Sequence, residues 1–263
     1  MSLEHELLRI LGQKKVSTCF QPIFHSDGRS LYAYEALSRG PDNSSLHQPL
    51  QLFAQARQQQ KLFALESICR TNAIKQFSSQ RLPGKLFLNV TPETLLQPDH
   101  QRGLTLELVN NSGMSPDQVV IEITEHSPTH NYELMRRAVC HYQQEGFSIA
   151  LDDLGAGYSS LRLWSEVRPE FVKLDRHFVD GIDQDSFKRD FVSALVSLAR
   201  SVNSLVIAEG IETSAEYQTL CAIGVDYLQG YYFARPAPRP EHYQFAQSTP
   251  AGHFGQSLTN IGQ

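Results

Sequence analysis

The stretch Cys19-Phe-Gln-Pro-Ile-Phe24-His-Ser-Asp27-Gly28-Arg-Ser-Leu31-Tyr-Ala-Tyr-Glu-Ala-Leu37 decides how the fold of this chain begins. Two apolar runs, residues 19–24 and 31–37, flank a short polar link that contains Asp27-Gly28, a strong hairpin signal. Two strands that are joined so tightly must run antiparallel. The sequence therefore predicts a β-hairpin at the start of the sheet.

Further along, short apolar runs alternate with helical patterns. Six more runs are nearly continuous in hydrophobicity, as strands buried on both faces are: 85–90, 119–123, 148–151, 171–174, 205–208 and 227–232. Helical spacing of apolar residues covers 3–11, 49–59, 62–77, 131–144, 186–202 and 214–223. Eight strands, most of them separated by a helix, predict an α/β fold, a modified TIM-type βα barrel with an antiparallel first strand. An open doubly wound sheet is the competitor, but no glycine-rich dinucleotide loop supports it.

Length and composition favour one large domain. The chain has 263 residues, 41% of them hydrophobic, and we expect a barrel over residues 1–245 and a flexible tail or linker over 246–263, where Gly, Pro, Ser and Gln accumulate. The net charge of −5 without a basic stripe argues against a long nucleic acid as partner.

The compartment follows from similar reasoning. No run approaches the roughly 18 apolar residues that span a bilayer, and the start of the chain does not resemble a signal peptide. The four cysteines form no CxxC pair and are interpreted as buried thiols. We expect a cytoplasmic domain, which could still be a fragment of a longer, even membrane-anchored, protein.

Ionisable and amide side chains stand at or near the ends of most predicted strands, which is the active face of βα barrels. They are Glu35, Asn89, Glu122 with Glu125, Asp152 with Asp153, Lys173 with Asp175, Glu209 with Glu212, and Gln229. Carboxylates crowded at a barrel mouth repel one another unless cations lie among them. Oxygen ligands suit Mg²⁺ or Mn²⁺, and two such ions are a common device for phosphodiester hydrolysis. The adjacent acids Asp152 and Asp153 are natural ligands for bridging two ions.

Glu35-Ala36-Leu37-Ser38-Arg39 resembles the ExLxR signature of the EAL family. Further matches follow in family order over about residues 16–240: Leu88-Asn89-Val90, Glu122-Ile-Thr-Glu125, the run from Asp152 to Ser160, Val172-Lys173-Leu-Asp175, Ala208-Glu209-Gly-Ile-Glu212-Thr and Gln229-Gly230-Tyr. The resemblance implies a barrel with an antiparallel first strand. It also implies hydrolysis of cyclic di-GMP to linear pGpG, with two Mg²⁺ or Mn²⁺ ions per site and inhibition by Ca²⁺.

The resemblance also implies roles for single residues. The ligands of the first metal are Glu35, Asn89, Glu122 and Asp152; those of the second are Asp152 and Asp153, with Glu209 close by. Lys173 lies beside the attacking water, so that Glu35, Lys173 and Glu209 form the catalytic group. The implied substrate contacts are Arg39 at the phosphate and Gln21 at a guanine. Gln229 is a polar residue that positions groups near the second metal and its water. Glu125 anchors the loop after the fifth strand, and Glu212 either holds a loop or touches metal.

Several of these assignments have ordinary structural alternatives. Arg39 could pair with a surface acid, Lys173 could be a structural cation paired with Asp175, and Gln21 could be only a strand-end amide. The histidines show no ligand spacing, and Trp164 suits core or interface packing. Where many family members have Phe and Thr, this chain has Leu154 and Ala156. In the family that loop links metal binding to dimerisation, so metal affinity or dimer coupling could differ.

Three functions compete at this point. The first is a cyclic di-GMP phosphodiesterase, expected as a homodimer and with regulatory or GGDEF-type domains in a longer native chain. The second is a catalytically weak receptor for cyclic di-GMP, and the third is an interaction domain with vestigial ligand binding. Because the acid set is intact, the sequence favours the enzyme.

Overall fold

Eight strands pair in chain order and close into a barrel in the computed structural model, which describes residues 2–95, 103–123, 132–154 and 160–241. The strands are β1 Ser17–His25, β2 Leu31–Arg39, β3 Lys85–Val90, β4 Val119–Ile123, β5 Ser148–Leu154, β6 Phe171–Leu174, β7 Leu205–Ala208 and β8 Tyr227–Leu228. β1 runs antiparallel to both of its neighbours, β2 and β8, and the other neighbouring strands are parallel. The predicted modified barrel is confirmed, and the open sheet is excluded.

The hairpin between β1 and β2 forms as the sequence predicted. One carboxylate oxygen of Asp27 accepts hydrogen bonds from the backbone N–H groups of Arg29 and Ser30, both at 2.8 Å. Gly28 has a φ of 65°, which glycine adopts at little cost. In the resulting register Gln21 lies directly opposite Glu35.

Helices surround the barrel. They are α1 Leu3–Gln13, α2 Pro49–Gln58, α3 Leu62–Ser79, α4 Pro92–Leu95, α5 Leu104–Asn111, α6 Tyr132–Gln144, α7 Ser160–Val167, α8 Arg176–Val179, α9 Ser186–Ser201 and α10 Ser214–Ile223, with a 3₁₀ turn at Pro116–Gln118. The six predicted helices are present with small shifts at their ends. The four short helices α4, α5, α7 and α8 were not predicted, because a helix of one or two turns carries too little apolar periodicity.

The starts of α9 and α10 are capped by side chains. The side chain of Asp185 accepts hydrogen bonds from the N–H groups of Phe187 and Lys188. Thr213 and Glu216 form a reciprocal capping box at α10. Each cap satisfies backbone donors that the first turn of a helix leaves free, so these starts are fixed locally.

The barrel interior is filled by one apolar side chain from each strand. This cluster consists of Ile23, Ala33, Phe87, Val120, Ala150, Phe171, Ile207 and Tyr227, with Tyr32 packed against it. Since side chains alternate between the two faces of a strand, the residue two positions nearer the C-terminal end of the parallel strands also points inward. Those eight positions hold Gln21, Glu35, Asn89, Glu122, Asp152, Lys173, Glu209 and Gln229. An apolar plug therefore supports a layer made wholly of polar and charged residues.

β8 is shorter than the predicted strand over 227–232. After Gln229 the chain packs against the loop that follows β7. There the N–H of Tyr232 donates to the carbonyl of Ile211. A Cβ on Gly230 would lie 2.1 Å from the carbonyl oxygen of Ile211. The close approach of two backbones thus ends the strand and explains the glycine.

Gly230→Ala is therefore expected to destabilise the fold by about 3 kcal/mol, because neither backbone can move without disturbing the barrel rim. Urea denaturation of both proteins measures the effect. Gly12→Ala is the matched control: Gly12 lies in α1 with open space around it, and alanine there should stabilise by about 0.5–1 kcal/mol. Equal midpoints for Gly230→Ala and the parent would contradict the packing argument.

Candidate active site

Lys173 is the centre of the polar layer. Its side chain is 1% exposed, and its Nζ lies 2.5 Å from Glu122 Oε1, 3.2 Å from Asp152 Oδ1 and 3.4 Å from Glu35 Oε2, with Glu209 also in contact. Pairing with Asp175, the structural alternative, does not occur. The Asp175 carboxylate instead caps α8 by accepting from the N–H of His177.

The charges of this cluster do not balance. Four carboxylates share one ammonium group, which leaves three excess negative charges if all of them are ionised. Burial raises the pKa of Glu122 and of Glu209 well above the ordinary value, although Lys173 acts in the opposite direction. Burial lowers the pKa of Lys173, but the four carboxylates outweigh it and hold that pKa well above its ordinary value. The layer is therefore short of positive charge.

Glu35 is held from three sides. Burial raises its pKa, but Lys173 and hydrogen bonds from Gln229 and Asn89 outweigh burial and keep the pKa below its ordinary value. The Nε2 of Gln229 donates to Glu35 Oε2 at 2.7 Å, and the Nδ2 of Asn89 donates to Glu35 Oε1 at 3.1 Å. Glu35 is thus the carboxylate whose charge and orientation the surrounding groups maintain most firmly.

Several buried oxygens are suited to bind cations. Apart from the ion pairs with Lys173, both carboxylate oxygens of Glu122, Oδ1 of Asp152 and Oε1 of Glu209 have no hydrogen-bond partner within the described ranges. Asp152, Asp153 and Glu209 each offer a carboxylate oxygen, and these three atoms lie within 4.8 Å of one another. A set of oxygen donors with excess negative charge fits a divalent hard cation.

A local irregularity lets two consecutive acids serve the same site. Neighbouring residues of a regular strand point to opposite faces. In β5 the pairing with β6 shifts between Leu151 and Leu154, and Asp153 takes a φ of 55°. Left-handed backbone in a residue other than glycine is uncommon and concentrates at functional sites. The irregularity brings the Asp153 carboxylate near those of Asp152 and Glu209.

A cavity of about 460 Å³ opens beside this cluster, and Glu35, Asn89, Asp152 and Asp153 are among the residues that line it. Arg39 also lines it, and its Nη1 donates to the carbonyl of Ser38 at 2.9 Å. No ion pair joins Arg39 to an acid in the described part of the chain, so its surface-acid alternative has no support there. The forked guanidinium retains donors for a phosphate group.

The side chain of Gln21, the predicted guanine contact, forms hydrogen bonds within the protein. Its Nε2 donates to the carbonyl of Ala234 at 3.2 Å, and its Oε1 accepts from Gln229 at 3.3 Å. Glu212 lies away from the buried cluster and pairs with Arg176 at 2.8 Å. This contact suits the loop-holding alternative for Glu212.

The remaining sequence predictions divide in two. Glu125 and Ala156 lie outside the described residues, whereas Leu154 is buried in the outer core. Trp164 is buried in the same core, and its indole N–H donates to Ser204 Oγ at 3.2 Å, as core packing required. No histidine belongs to the cation-binding cluster found among the described residues.

Sequence reasoning missed two residues of the cavity, Glu66 and Arg70 on α3. Both are 3% exposed and line the cavity. The signal was present, because residues 66, 69, 70 and 73 follow the spacing of one helix face and two of them are charged. A charged pair on the buried face of a helix indicates a functional position.

Comparison with known proteins agrees with the geometry. The EAL domain profile matches residues 4–236. The probable cyclic di-GMP phosphodiesterase PdeA of Escherichia coli K12 is 33% identical over 151 residues, which are 57% of this chain and 21% of that protein. The chain spans between 18% and 34% of the length of the first three curated relatives.

Two solved structures extend this comparison. A standalone versatile EAL protein from Vibrio cholerae O395, in a c-di-GMP bound form, is 29% identical with a TM-score of 0.76, over 84% of this chain and 92% of that one. BlrP1 of Klebsiella pneumoniae, solved as a calcium/cy-diGMP complex, is 28% identical with a TM-score of 0.78, over 86% of this chain and 57% of that one.

No helix in the described ranges combines the length and the apolar character that crossing a membrane requires. The profile match over nearly the whole chain, the closed barrel with its reversed first strand and the acidic layer at the barrel mouth agree with one another. This chain belongs to the EAL domain family.

Proposed function

We propose that this domain hydrolyses cyclic di-GMP to linear pGpG with the help of two divalent metal ions. The observation that carries the proposal is the complete layer of polar side chains at the barrel mouth, with its excess negative charge and its opening into a cavity. A charge deficit of this kind is compensated when cations bind, and bound cations attract a phosphodiester.

The proposed metal ligands fall into two groups. Glu35, Asn89, Glu122 and Asp152 would hold one ion, and Asp152, Asp153 and Glu209 would hold the other. Such ions supply positive charge for the phosphate oxygens and lower the pKa of a bound water towards neutrality. Mg²⁺ and Mn²⁺ are the proposed ions, and the Klebsiella protein has been solved as a manganese/cy-diGMP complex.

The side chains of the domain would orient substrate and water. Arg39 would hold non-bridging phosphate oxygens through its fork. Lys173, which is charged in the cluster, would donate a hydrogen bond that orients the attacking water. Glu209 would accept a proton from that water. As the water oxygen bonds to phosphorus, the bond to the 3′ oxygen breaks. Gln229 would keep Glu35 aligned throughout.

The test of this proposal is incubation of the protein with cyclic di-GMP and Mg²⁺, followed by chromatographic separation of the product. Formation of pGpG is the expected result. The competing function is a receptor that binds cyclic di-GMP without turnover. Tight binding in calorimetry together with an unchanged nucleotide would favour that receptor.

Metal dependence gives a second, independent check. Removal of metal with EDTA is expected to abolish turnover, because the excess charge of the acidic layer then repels the phosphodiester. Mg²⁺ or Mn²⁺ should restore it, and Ca²⁺ should inhibit, since it prefers longer bonds and more ligands. The measurement is the initial rate against metal concentration. Full turnover by metal-free protein would rule out the two-metal mechanism.

The wider setting of the domain is also a proposal. We infer a homodimer, and the exposed aliphatic residues Leu161, Leu198 and Val202 beside Trp164 offer an apolar surface for it. The chain matches part of the bifunctional diguanylate cyclase/cyclic di-GMP phosphodiesterase MucR of Pseudomonas aeruginosa. That match supports GGDEF-type or regulatory domains in a longer native chain. A cytoplasmic location and the limits of the barrel, residues 1–245 with a tail over 246–263, stay predictions of the sequence.

A further inference from the structure

Arg70 is a buried cation without a matching acceptor. Its Nε and Nη1 groups are shielded from solvent and donate to no acceptor in the part of the chain that the structure describes. A buried N–H that loses water without gaining a protein partner costs about 1–3 kcal/mol, and more on a charged group. Such an arrangement in a native fold calls for an explanation beyond packing.

The acid nearest in sequence does not supply the missing partner. Glu66 lies one helical turn before Arg70, but no ion pair of 4 Å or less joins them, and its carboxylate accepts instead from the N–H of Thr91. Burial raises the pKa of Glu66 to about 7, although the hydroxyls of Thr91 and Thr94 and the charge of Arg70 act against it. Near neutral pH, Glu66 is therefore only partly ionised and compensates little of the charge of Arg70.

The position of Arg70 points to a ligand in the cavity. Glu66, Cys69, Arg70 and Ala73 form one face of α3, and all four line the cavity that Asp152 and Asp153 also line. The cavity walls also include Phe53 and Leu88, which provide apolar surface for a flat ring. A ligand whose phosphate lies at these two acids therefore has space in the same cavity for an aromatic group against α3.

We propose that Arg70 recognises a guanine base of the substrate, with its guanidinium donating to the O6 and N7 acceptors. This inference rests on the proposed function, and it adds the group that selects the base. The fork of arginine matches that pair of acceptors, and each good bidentate contact discriminates by about 1–3 kcal/mol. Adenine carries an amino donor where guanine carries O6, so it would leave one N–H of Arg70 unpaired.

The test is a comparison of base preference between the parent and Arg70→Met. Calorimetry in Ca²⁺, which is expected to suppress turnover, gives the Kd for cyclic di-GMP and for cyclic di-AMP. The parent is expected to prefer cyclic di-GMP, and Arg70→Met should lose about 10- to 100-fold of that preference. Methionine should not lower the melting temperature of the free protein, because the buried unpaired donors disappear with the guanidinium.

Two further variants make the test specific. Arg57 lines the same cavity, but its Nε already pairs with Glu93 at 3.0 Å, so Arg57→Met should keep the base preference of the parent. Arg70→Lys keeps the charge but loses the fork, and it should also lose preference for guanine. It decides the question if Arg70→Met does not fold.

The outcomes that overturn the inference are distinct from failure of the proposed function. If the parent neither binds nor hydrolyses cyclic di-GMP, the proposed function fails. If the parent does both while Arg70→Met and Arg70→Lys keep its base preference, only the role of Arg70 is wrong. If these variants bind both dinucleotides more weakly by the same factor, Arg70 is a general charge contact. That result would also overturn guanine recognition.

Discussion

Glu35→Ala is expected to abolish hydrolysis of cyclic di-GMP, with a loss in kcat of about 10³-fold or more, because a metal ligand and its charge are removed together. The structure makes Glu35 a central residue, since Lys173, Asn89 and Gln229 all contact its carboxylate. The fold should persist with a cost of about 1–2 kcal/mol, because Asn89 and Gln229 lose an acceptor. Initial rates and thermal melting together measure the two effects.

The matched control is Glu212→Ala. Glu212 also follows a strand of the barrel, but it is exposed and pairs with Arg176. Its removal should leave kcat within a few-fold of the parent and change stability by less than about 1 kcal/mol. Turnover at the parental rate in Glu35→Ala would place the reaction elsewhere in the molecule.

Lys173→Met should lower kcat by about 10²-fold or more, which is the usual scale for losing a positioned proton-transfer group. Affinity for cyclic di-GMP in Ca²⁺ should change much less, because the ammonium is proposed to contact the water rather than the substrate. Kinetics and calorimetry on the same preparation separate these effects. A collapse of binding with a normal rate per bound substrate would instead make Lys173 a substrate clamp.

The same variant should reveal how the buried charges support the fold. Without metal, Lys173→Met leaves four carboxylates without their cation, and we expect a loss of stability of about 3–5 kcal/mol. Mg²⁺ should restore part of it, since bound ions replace the missing charge. Lys188→Met is the control, because Lys188 is partly exposed and its Nζ donates only to the backbone carbonyl of Asp180 among the described groups.

The candidate site was largely predictable because the barrel is periodic. Each strand carries a hydrophobic residue that fills the interior, and the position two residues towards the mouth, which lies just after the end of β7 and of β8, is polar in all eight cases. Once strands and their directions are known, alternation of side chains assigns these positions without coordinates. The reversed direction of β1 followed from the short hairpin, which is a local property of residues around Asp27-Gly28.

Other features needed the tertiary structure because they depend on pairs distant in sequence. The end of β8 is set by the contact of Gly230 with Ile211, and the shared position of Asp152 and Asp153 by an irregular pairing with β6. Neither contact can be predicted from the strand propensity of the residues involved.

The sequence by itself predicted the eight strands, the hairpin between the first two and the polar residues at the strand ends, because apolar runs and turn signals are properties of neighbouring residues. Only the tertiary structure decided which charges meet. It placed Lys173 among four carboxylates rather than beside Asp175, and it left Nε and Nη1 of Arg70, a residue that lines the cavity, without an acceptor in the described residues. The reason is physical: electrostatic energy depends on distance and on exclusion of water, and both arise only when segments far apart in the chain are packed together.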